Sequence, residues 1–359
     1  MAEPVRLTAS GVATLQDPKI VLDAVLDHFG EHGTVTRTDN GGQIDMIGCT
    51  RLSASGCRLE IALECPDEPA LCSLKCVIAE HLFMFARGNP MELAWTDSDG
   101  TSAIPDLREV TVVRSDNVTP NMRRVTLAVD DVERYQTGGF HVRLLIPPRG
   151  RNPLWPHVGA DGRIAWPAGE DELTVRIYTI RALDPVSSEI DIDIVLHEGN
   201  DTPGANWALN AQPGDRAGLL GPGGGGMPVA KRLLLAGDET ALPAIARIAA
   251  GLDADADARI FIEIESEADR QPLPSAARIE PVWLYRNGRK AGTTGCLEAL
   301  IREQTLDDTE ADRFIWAATE QSEAAAIRHL LRQERGLDRK NHMIAAYWRR
   351  LMPDDLASH

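Results

Sequence analysis

The first 98 residues combine helical and extended spacing of apolar positions. Apolar side chains recur every three or four residues over Asp17–His28 and Pro69–Arg87, which predicts two amphipathic helices. Gln43–Thr50 and Cys57–Glu64 are typical of strands that pair around a Ser-Ala-Ser-Gly turn. Residues 1–98 are therefore predicted to form a small α+β domain, and the short polar segment after it is typical of a linker.

From residue 105 the apolar positions change to a two-residue alternation. Short runs of this kind are separated by glycine, proline and polar turns, and they predict strands of an antiparallel sheet. The predicted strands are Glu109–Val113, Arg123–Val129, His141–Ile146, Leu173–Ile180, Glu189–Leu196 and Ala217–Leu220. Their number and spacing suit a small antiparallel β-barrel, predicted over residues 105–226.

Beyond residue 230, continuous apolar runs alternate with helical patterns. The predicted strands are Lys231–Ala236, Arg259–Ile264, Val282–Tyr285 and Arg313–Ala317, and the predicted helices are Leu242–Gly251, Cys296–Glu303 and Ser322–Glu334. This alternation indicates a parallel sheet covered by helices on both faces, over residues 230–352. The predicted fold class is therefore multi-domain, with an α+β domain, an antiparallel β-barrel and an α/β domain in that order.

Net charge and hydropathy narrow the classes of function. A net charge of −17 argues against general nucleic-acid binding and against attraction to an anionic membrane surface. The longest apolar runs are too short to cross a bilayer, so no membrane insertion is expected. The first residues lack the basic and then apolar segments of a secretory signal, which makes a cytoplasmic location the expectation.

Cysteines cluster in the first quarter of the chain, which raises the question of a metal centre. The clustered residues are Cys49, Cys57, Cys65, Cys72 and Cys76. If Cys57 and Cys65 lie on one strand, eight residues separate them by about 26 Å. Cys72 and Cys76 share a helix face but supply only two ligands, and no CxxC pair occurs. These cysteines are therefore predicted to be buried reduced thiols.

Three histidines in the same region are a second candidate metal site. His28 and His32 share one helix face, and His81 belongs to the second predicted helix. Histidines without a carboxylate partner more often pack at helix ends than bind metal. Packing is therefore the favoured interpretation, and no metal is predicted.

The segment Arg176-Ile-Tyr178-Thr179-Ile-Arg181 ends a predicted barrel strand and carries candidate chemistry. Strand alternation places Arg176 and Tyr178 on one face and Thr179 and Arg181 on the other. A flavin dinucleotide needs a guanidinium group for its pyrophosphate, an aromatic platform for its ring and a donor at its reactive edge. The alternative is an exposed strand with ordinary cross-strand partners, and the pattern alone leaves the two readings balanced.

Two further segments fit the binding of phosphates. Downstream of His197, the residues after Thr202-Pro203-Gly204 start a short helix, and its free backbone amides suit a phosphate. Gly237-Asp238-Glu239 follows an apolar strand and precedes a helix, which is where dinucleotide phosphates bind in such folds. Each segment by itself is also compatible with an ordinary glycine-rich connection.

In this order and spacing, the three segments resemble the siderophore-interacting proteins, a branch of the ferredoxin-reductase-like flavoenzymes. Further matching segments are Phe140–Leu144, Trp316–Glu320, Leu330–Asp338 and Tyr347–Arg349, and the resemblance covers about residues 105–352. Residues 1–98 resemble a separate small family of unknown function through Asp27-His28-Phe29 and Glu80-His81-Leu82.

The resemblance implies an FAD-binding barrel, a nicotinamide-binding α/β domain and reduction of ferric siderophores by NADPH or NADH. It assigns flavin or nicotinamide contacts to Arg176, Tyr178, Thr179, Arg181, His197, Ala205, Asn206, Trp207, Ala208, Gly237, Asp238 and Glu239. Thr179 and Tyr178 would stand at the reacting ring. The sequence departs from the family pattern at the additional residues Glu198–Asp201 and at Thr319, where glycine is common.

A basic segment after the third α/β strand is the candidate substrate contact. Arg286, Arg289 and Lys290 are expected to attract an anionic ferric siderophore, whereas the alternative is a set of solvated loop charges. Glu265 disfavours a 2′-phosphate and nearby arginines favour one, so the sequence leaves NADH and NADPH open. Two other functions fit: a flavin reductase that serves a protein or quinone, and a non-catalytic siderophore-binding or iron-sensing module.

Overall fold

The chain forms two compact units in a computed structural model that describes residues 6–31, 34–96, 102–196, 202–304 and 312–350. Unit 1 comprises Met1–Leu107 with Pro147–Leu173, and unit 2 comprises Arg108–Ile146 with Thr174–His359. His32, His197 and the segment Glu198–Asp201 lie outside the described residues. No helix among the described residues is long and apolar enough to cross a bilayer.

Unit 1 begins with a six-stranded antiparallel sheet that carries two helices. The elements are β1 (Leu7–Thr14), α1 (Pro18–Gly30), β2 (Thr34–Thr38), β3 (Gly41–Asp45), β4 (Cys49–Ser55), β5 (Arg58–Cys65), α2 (Glu68–Phe85) and β6 (Glu92–Trp95). The sheet order is β2-β3-β4-β5-β1-β6. Apolar faces of both helices pack with the sheet in one core, which confirms the predicted α+β architecture.

The predicted single strand Gln43–Thr50 is wrong. A turn closed by the Met46 amide on the Gly48 carbonyl oxygen separates β3 from β4. Gly48 fits there because a Cβ atom would stand 2.5 Å from the Cys65 sulfur. The hairpin of β4 and β5 is confirmed, but Cys57 lies in its turn and is exposed, unlike the buried thiol predicted from the sequence.

Unit 2 contains a closed six-stranded barrel in the order β12-β13-β8-β7-β14-β9. Along the chain its elements are β7 (Leu107–Thr119), β8 (Met122–Ala128), β9 (His141–Ile146), β12 (Thr174–Asp184), β13 (Glu189–Val195), α3 (Pro203–Asn210) and β14 (Arg216–Gly223). The strands β10 (His157–Val158) and β11 (Ile164–Ala165) lie between β9 and β12 in the chain and form a separate two-stranded sheet. All six predicted barrel strands are present, and their inward apolar residues form one core.

The second half of unit 2 is an α/β domain with a five-stranded parallel sheet, ordered β17-β16-β15-β18-β19. The elements are β15 (Arg232–Asp238), α4 (Leu242–Ala250), β16 (Asp257–Ile264), β17 (Arg278–Tyr285), α5 (Cys296–Glu303), β18 (Arg313–Glu320), α6 (Gln321–His329) and β19 (His342–Trp348). Strand β19 was not predicted, and it forms the edge of the sheet beside β18.

The segment between β9 and β12 belongs to unit 1, although it lies within the range predicted for the barrel. The indole nitrogen of Trp95 donates to the Asp161 carbonyl oxygen at 3.0 Å. The Arg163 guanidinium lies 3.6 Å from the centre of the Phe83 ring. Gly162 packs so closely that a Cβ atom would stand 2.6 Å from the Trp95 indole nitrogen. The turn between β10 and β11 is therefore anchored on β6 and α2.

Candidate functional site

Strand β12 presents an exposed face on the barrel. Arg176 is exposed, and its guanidinium donates to the carbonyl oxygen of the neighbouring Val175 at 2.8 Å. Ile177 is 67% exposed, which is unusual for a large aliphatic residue within a strand. The pairing of β12 with β9 runs without interruption from Thr174 to Thr179, so side chains alternate as predicted. Arg176 and Ile177 therefore lie on opposite faces of β12, and the cation stands on the same face as Tyr178.

Tyr178 and the start of α3 lie in direct contact. A Cβ atom on Gly204 would stand 1.8 Å from the Tyr178 hydroxyl oxygen, so only glycine permits this approach. Burial raises the pKa of Tyr178 to about 12, although the Arg176 charge opposes the shift. The first two predicted segments, far apart in the sequence, therefore meet at one place.

The four predicted contact residues Ala205–Ala208 lie in helix α3 and differ in burial. Ala205 and Ala208 are buried, Trp207 packs partly against the barrel core, and Asn206 is exposed. The Thr202 side chain makes no capping hydrogen bond to the first turn. Backbone amides at a helix N-terminus are suited to an anionic group. Together with exposed Arg176 and half-buried Tyr178, this turn fits a flavin dinucleotide.

Arg181 lies on the other side of β12 in a buried charge network. Arg124 donates to both carboxylate oxygens of Asp193, at 2.7 and 2.8 Å. The Arg181 Nε atom is 3.9 Å from the same carboxylate, and its side chain is mostly buried. Burial lowers the pKa of Arg181, while Asp193 acts in the opposite direction. Arg181 is thus paired with Asp193, another residue of the barrel, on the opposite side of β12 from Arg176.

Thr179 is buried, and it acts on Tyr347 of β19, which the sequence marked only as part of a matching segment. Burial raises the pKa of Tyr347, and Thr179 opposes that shift. The Tyr347 hydroxyl lies 2.7 Å from Nε2 of His141, a residue of β9. Tyr347 and Trp348 are consecutive aromatic residues of β19, and this pair is the feature of the sequence that could have indicated a role for Tyr347.

The turn after β15 contains a tightly packed glycine, Gly237, and a buried carboxylate, Asp238. A Cβ atom on Gly237 would lie 2.4 Å from the Ala241 Cβ atom and 2.7 Å from the Ala318 carbonyl oxygen. Asp238 is 3% exposed and accepts hydrogen bonds from the Trp348 indole at 2.7 Å and the Thr319 hydroxyl at 3.2 Å. Burial raises its pKa, and these hydrogen bonds oppose the shift. Asp238 therefore links three strands of the sheet.

Arg286 and Glu239 form a buried ion pair at the same edge of the sheet. Arg286 is 5% exposed, and Glu263 and Glu265 also lie within 3.5 Å of its guanidinium. Burial opposes its charge, but the hydrogen bond to Glu239 and the three carboxylates outweigh burial and raise its pKa. Arg286 is therefore not the solvent-facing cation expected from the sequence, because its charge is compensated inside the protein.

Arg289 and Lys290 follow in an exposed turn. The Arg289 Nε atom donates to the Arg286 carbonyl oxygen at 3.3 Å, which links the turn to the buried pair. Glu265, at the end of β16, accepts a hydrogen bond from the Gly288 amide at 2.6 Å. Glu265, the carboxylate that the sequence associates with the choice between NADH and NADPH, is thus hydrogen-bonded to the turn that carries Arg289 and Lys290.

Histidines of the N-terminal sheet unit pack with one another and with aromatic rings. The rings of His28 and His81 lie 4.8 Å apart, and Phe29 is 4.7 Å from His81. Among the described residues, no group of three or more histidine, cysteine or acidic side chains is placed to hold a metal ion.

Comparison with known proteins extends these observations. Residues 111–226 match the siderophore-interacting FAD-binding domain, and residues 230–351 match the siderophore-interacting protein family. Residues 10–96 match a family of uncharacterized proteins conserved in bacteria.

Individual relatives each cover about two thirds of the chain. Ferric vibriobactin reductase of Vibrio cholerae is 30% identical over 242 residues, which are 66% of this chain and 88% of that protein. The NADPH-dependent ferric-chelate reductase of Escherichia coli is 26% identical and covers 67% of this chain and 92% of its own length. The crystal structure of a siderophore utilization protein from T. fusca is 34% identical, with a TM-score of 0.57, over 68% of this chain and 94% of that one.

Proposed function

The chain belongs to the siderophore-interacting protein family, and from that premise we propose that it is an FAD-containing, NADPH- or NADH-dependent reductase of ferric siderophores. Its product would be Fe(II), released in the cytoplasm. The observation that carries the proposal is the contact of Tyr178 with Gly204, which joins an exposed barrel strand to a helix N-terminus. A dinucleotide with an aromatic ring and a pyrophosphate needs these two features side by side.

Reduction is the chemistry that releases iron from such complexes. Siderophores hold Fe(III) through hard anionic oxygens, and Fe(II) is bound less tightly by such ligands. Nicotinamide delivers two electrons as hydride, whereas each ferric ion accepts one, and bound FAD supplies the conversion between them.

Different residues of the barrel would contact different parts of FAD. Arg176 and the first-turn amides of α3, around Ala205 and Asn206, would bind the pyrophosphate. Tyr178 would pack against the ring, and the Thr179 hydroxyl would stand at the reactive edge. Trp207 and Ala208 seat α3 on the barrel core. Arg181 would act indirectly, because its pairing with Asp193 holds the far side of β12. His197, in the segment before α3, remains assigned to the pyrophosphate only through the family resemblance.

The α/β domain would bind the nicotinamide cofactor and attract the iron complex. Gly237 lets the turn after β15 lie close to its neighbours, and Asp238 and Glu239 fix that turn through hydrogen bonds to β19 and Arg286. Arg289 and Lys290 are exposed, so they would attract the anionic ferric siderophore. Arg286 would keep their turn in place.

Anaerobic spectroscopy of the purified protein tests the proposal. We expect a yellow protein whose flavin absorbance is bleached by NADPH or NADH and returns when a ferric catecholate or hydroxamate is added. A ferrous-specific chromogenic chelator should then capture two Fe(II) ions for each nicotinamide oxidised. Bleaching that only a quinone or a carrier protein reverses would show a different electron acceptor. A protein that takes up no FAD would exclude both reductase functions.

A further inference from the structure

Glu265 lies at the carboxyl end of β16, and the turn after β17 holds both its backbone and its side chain. The Asn287 amide donates to the Glu265 carbonyl oxygen at 2.9 Å, and the Gly288 amide donates to Oε1 of the carboxylate at 2.6 Å. The Oε2 atom lies 3.5 Å from Nε of Arg286, and that nitrogen makes no hydrogen bond. Because the side chain is also 35% exposed, Oε2 can accept a hydrogen bond from a ligand.

The strand order places Glu265 beside the turn that follows β15. Strand β15 is the centre of the sheet, with β16 and β17 on one side and β18 and β19 on the other. Ligands bind open parallel sheets at the carboxyl ends of the strands, where the order reverses in this way. Glu263, two residues before Glu265, is the strand partner of Asp238. In dinucleotide-binding sheets, an acidic residue after the second strand accepts from the 2′-hydroxyl of the adenosine ribose, and Glu265 follows the second strand here.

We propose that Glu265 makes NADH, rather than NADPH, the reducing cofactor of this protein. The inference rests on the proposed function, which places the phosphates of the nicotinamide cofactor at the turn after β15. Oε2 of Glu265 accepts a hydrogen bond from the 2′-hydroxyl of the adenosine ribose of NADH. NADPH carries at that position a phosphate group with a charge of about −1.5 to −2. This group meets the carboxylate at close range, and repulsion between like charges disfavours its binding.

Arg286 is a cation at the same edge of the sheet, but it is committed to carboxylates of the protein. Both of its terminal nitrogens donate to Glu239 at 2.6 Å, and the residue is 5% exposed. Glu263 lies 3.5 Å from the same guanidinium. A 2′-phosphate would have to displace Glu239 and leave a buried carboxylate without its partner, which is strongly unfavourable. Arg286 therefore does not provide a phosphate site.

An exposed arginine, Arg270, follows Glu265 by five residues and is the cation that could favour a 2′-phosphate. Its guanidinium lies 5.4 Å from the centre of the Tyr285 ring and 3.7 Å from Glu267. Glu267 thus offsets the Arg270 charge, whereas Glu265 shares one buried guanidinium with two other carboxylates. The local charge stays negative, which favours a ribose hydroxyl over a phosphate group.

The first test compares NADH and NADPH as reductants of the bound flavin in Glu265→Gln. Glutamine keeps the size of the side chain, and its carbonyl oxygen can still accept from the Gly288 amide. We expect wild type to prefer NADH at least about tenfold in the second-order rate constant of flavin bleaching. Glu265→Gln should lower this preference by about ten- to a hundredfold, the range for a hydrogen bond to a charged group.

Glu267→Gln is the matched control. It makes the same charge change two residues further along the chain, on a side chain that is 79% exposed. The preference for NADH should stay at the wild-type value. An equal loss of preference in both variants would mean that net charge, rather than a contact of Glu265 with the ribose, selects the cofactor.

Binding without electron transfer separates recognition of the ribose from a structural role. The probes are ADP-ribose and its 2′-phosphate derivative, which lack the nicotinamide ring and cannot reduce flavin. Calorimetry should show that wild type binds ADP-ribose at least about tenfold more tightly than the phosphorylated probe. Glu265→Gln should bind ADP-ribose more weakly and the phosphorylated probe more tightly. If Glu265 only held the turn after β17, both probes would weaken by the same factor.

The outcomes distinguish this inference from the reductase function. Flavin that NADH and NADPH bleach equally well, or a ratio that Glu265→Gln leaves unchanged, would overturn the role of Glu265 and leave the reductase intact. A wild-type preference for NADPH that Arg270→Gln abolishes would also overturn it, and would assign the 2′-phosphate to Arg270. A wild-type protein that binds no flavin, or whose flavin neither nicotinamide bleaches, would overturn the proposed function and the inference together.

Discussion

The carboxylate of Glu239 and the guanidinium of Arg286 form a two-fold hydrogen-bonded pair, with both donor–acceptor distances at 2.6 Å. The pair connects the turn after β15 to the residue that follows β17, and both side chains are largely buried. Because Glu263 and Glu265 also lie near Arg286, this one cation compensates several carboxylates at the carboxyl edge of the sheet.

Removing the Arg286 charge should destabilise unit 2. We expect Arg286→Gln to lower the free energy of unfolding by about 3–5 kcal/mol, because it leaves buried carboxylates without a partner. Arg278→Gln is the control, since Arg278 is 73% exposed and its surface pairs should contribute less than about 1 kcal/mol. Urea unfolding curves measure both variants. Equal losses in the two would show that burial of the Arg286 pair has no special weight.

The contact between Gly204 and Tyr178 should control flavin uptake. Gly204→Ala places a methyl group where the Tyr178 hydroxyl lies, so we expect a lower flavin-to-protein ratio and a loss of about 1–3 kcal/mol in stability. Absorbance of the purified protein and reconstitution with added FAD measure the ratio. Gly226→Ala is the matched control, because nothing lies within 4 Å of its added Cβ atom. A fully loaded Gly204→Ala protein would contradict the assignment of this site.

The exposed turn after β17 should set the affinity for an anionic iron complex. We expect Arg289→Ala with Lys290→Ala to raise KM for a negatively charged ferric siderophore about tenfold at low salt. The effect should shrink as added salt screens the charges.

The matched control makes the same charge change elsewhere on the sheet. Lys231→Ala with Arg232→Ala alters the amino end of β15, whereas Arg289 and Lys290 follow the carboxyl end of β17. Its KM should stay near the wild-type value at every salt concentration. The same rise in KM in both double variants would mean that net charge, rather than the turn, attracts the substrate.

The segment between β9 and β12 should depend on glycine at position 162. Gly162 has φ of +86° and would bring a Cβ atom to 2.6 Å from the Trp95 indole nitrogen. We therefore expect Gly162→Ala to destabilise unit 1 by about 1–3 kcal/mol through strain and crowding together.

Gly150→Ala separates the two causes. Gly150 has φ of +74° but nothing within 4 Å of an added Cβ atom, so this variant retains only the backbone strain. Thermal unfolding, followed through the tryptophan fluorescence of the protein, compares the variants. If both lose the same stability, the approach to Trp95 contributes nothing.

The stability of unit 2 should fall at mildly acidic pH through His342. This residue is 4% exposed, and its Nε2 atom accepts from Arg332 at 2.9 Å. Burial lowers its pKa below the usual value of about 6.5. Below that pH the unfolded chain binds the proton more readily than the native protein, so its contribution to the free energy of unfolding is lost as the pH falls.

The variant His342→Gln keeps hydrogen-bonding capacity and removes this titration. We expect it to be less stable than wild type at neutral pH, with a difference that shrinks as the pH drops below about 6.5. His329→Gln is the control, because the His329 side chain is 65% exposed. Parallel stability curves for wild type and His342→Gln across this range would contradict the prediction.

The sequence by itself determined the architecture, because the spacing of apolar residues decides which elements can bury a face. The two-residue alternation of the barrel strands and the continuous runs of the parallel sheet led directly to β7–β9, β12–β14 and β15–β18. Weak patterns failed: β1 is rich in small and polar residues, and β19 follows a tail with no clear periodicity. The sequence did not predict the turn at Gly48 that separates β3 from β4. This turn depends on the close contact of Gly48 with Cys65, and a local pattern of residues carries no information about that contact.

Only the tertiary structure decided how the candidate site is assembled. Tyr347 and His141 are 206 positions apart, and Trp348 and Asp238 are 110 apart, so their contacts depend on how the barrel and the sheet pack within unit 2. The sequence predicts Arg286 to be an exposed loop cation, yet three carboxylates at the carboxyl ends of β15 and β16 surround it. Charge and residue type are local properties, whereas burial and pairing are set by packing, and packing determines what each side chain can do.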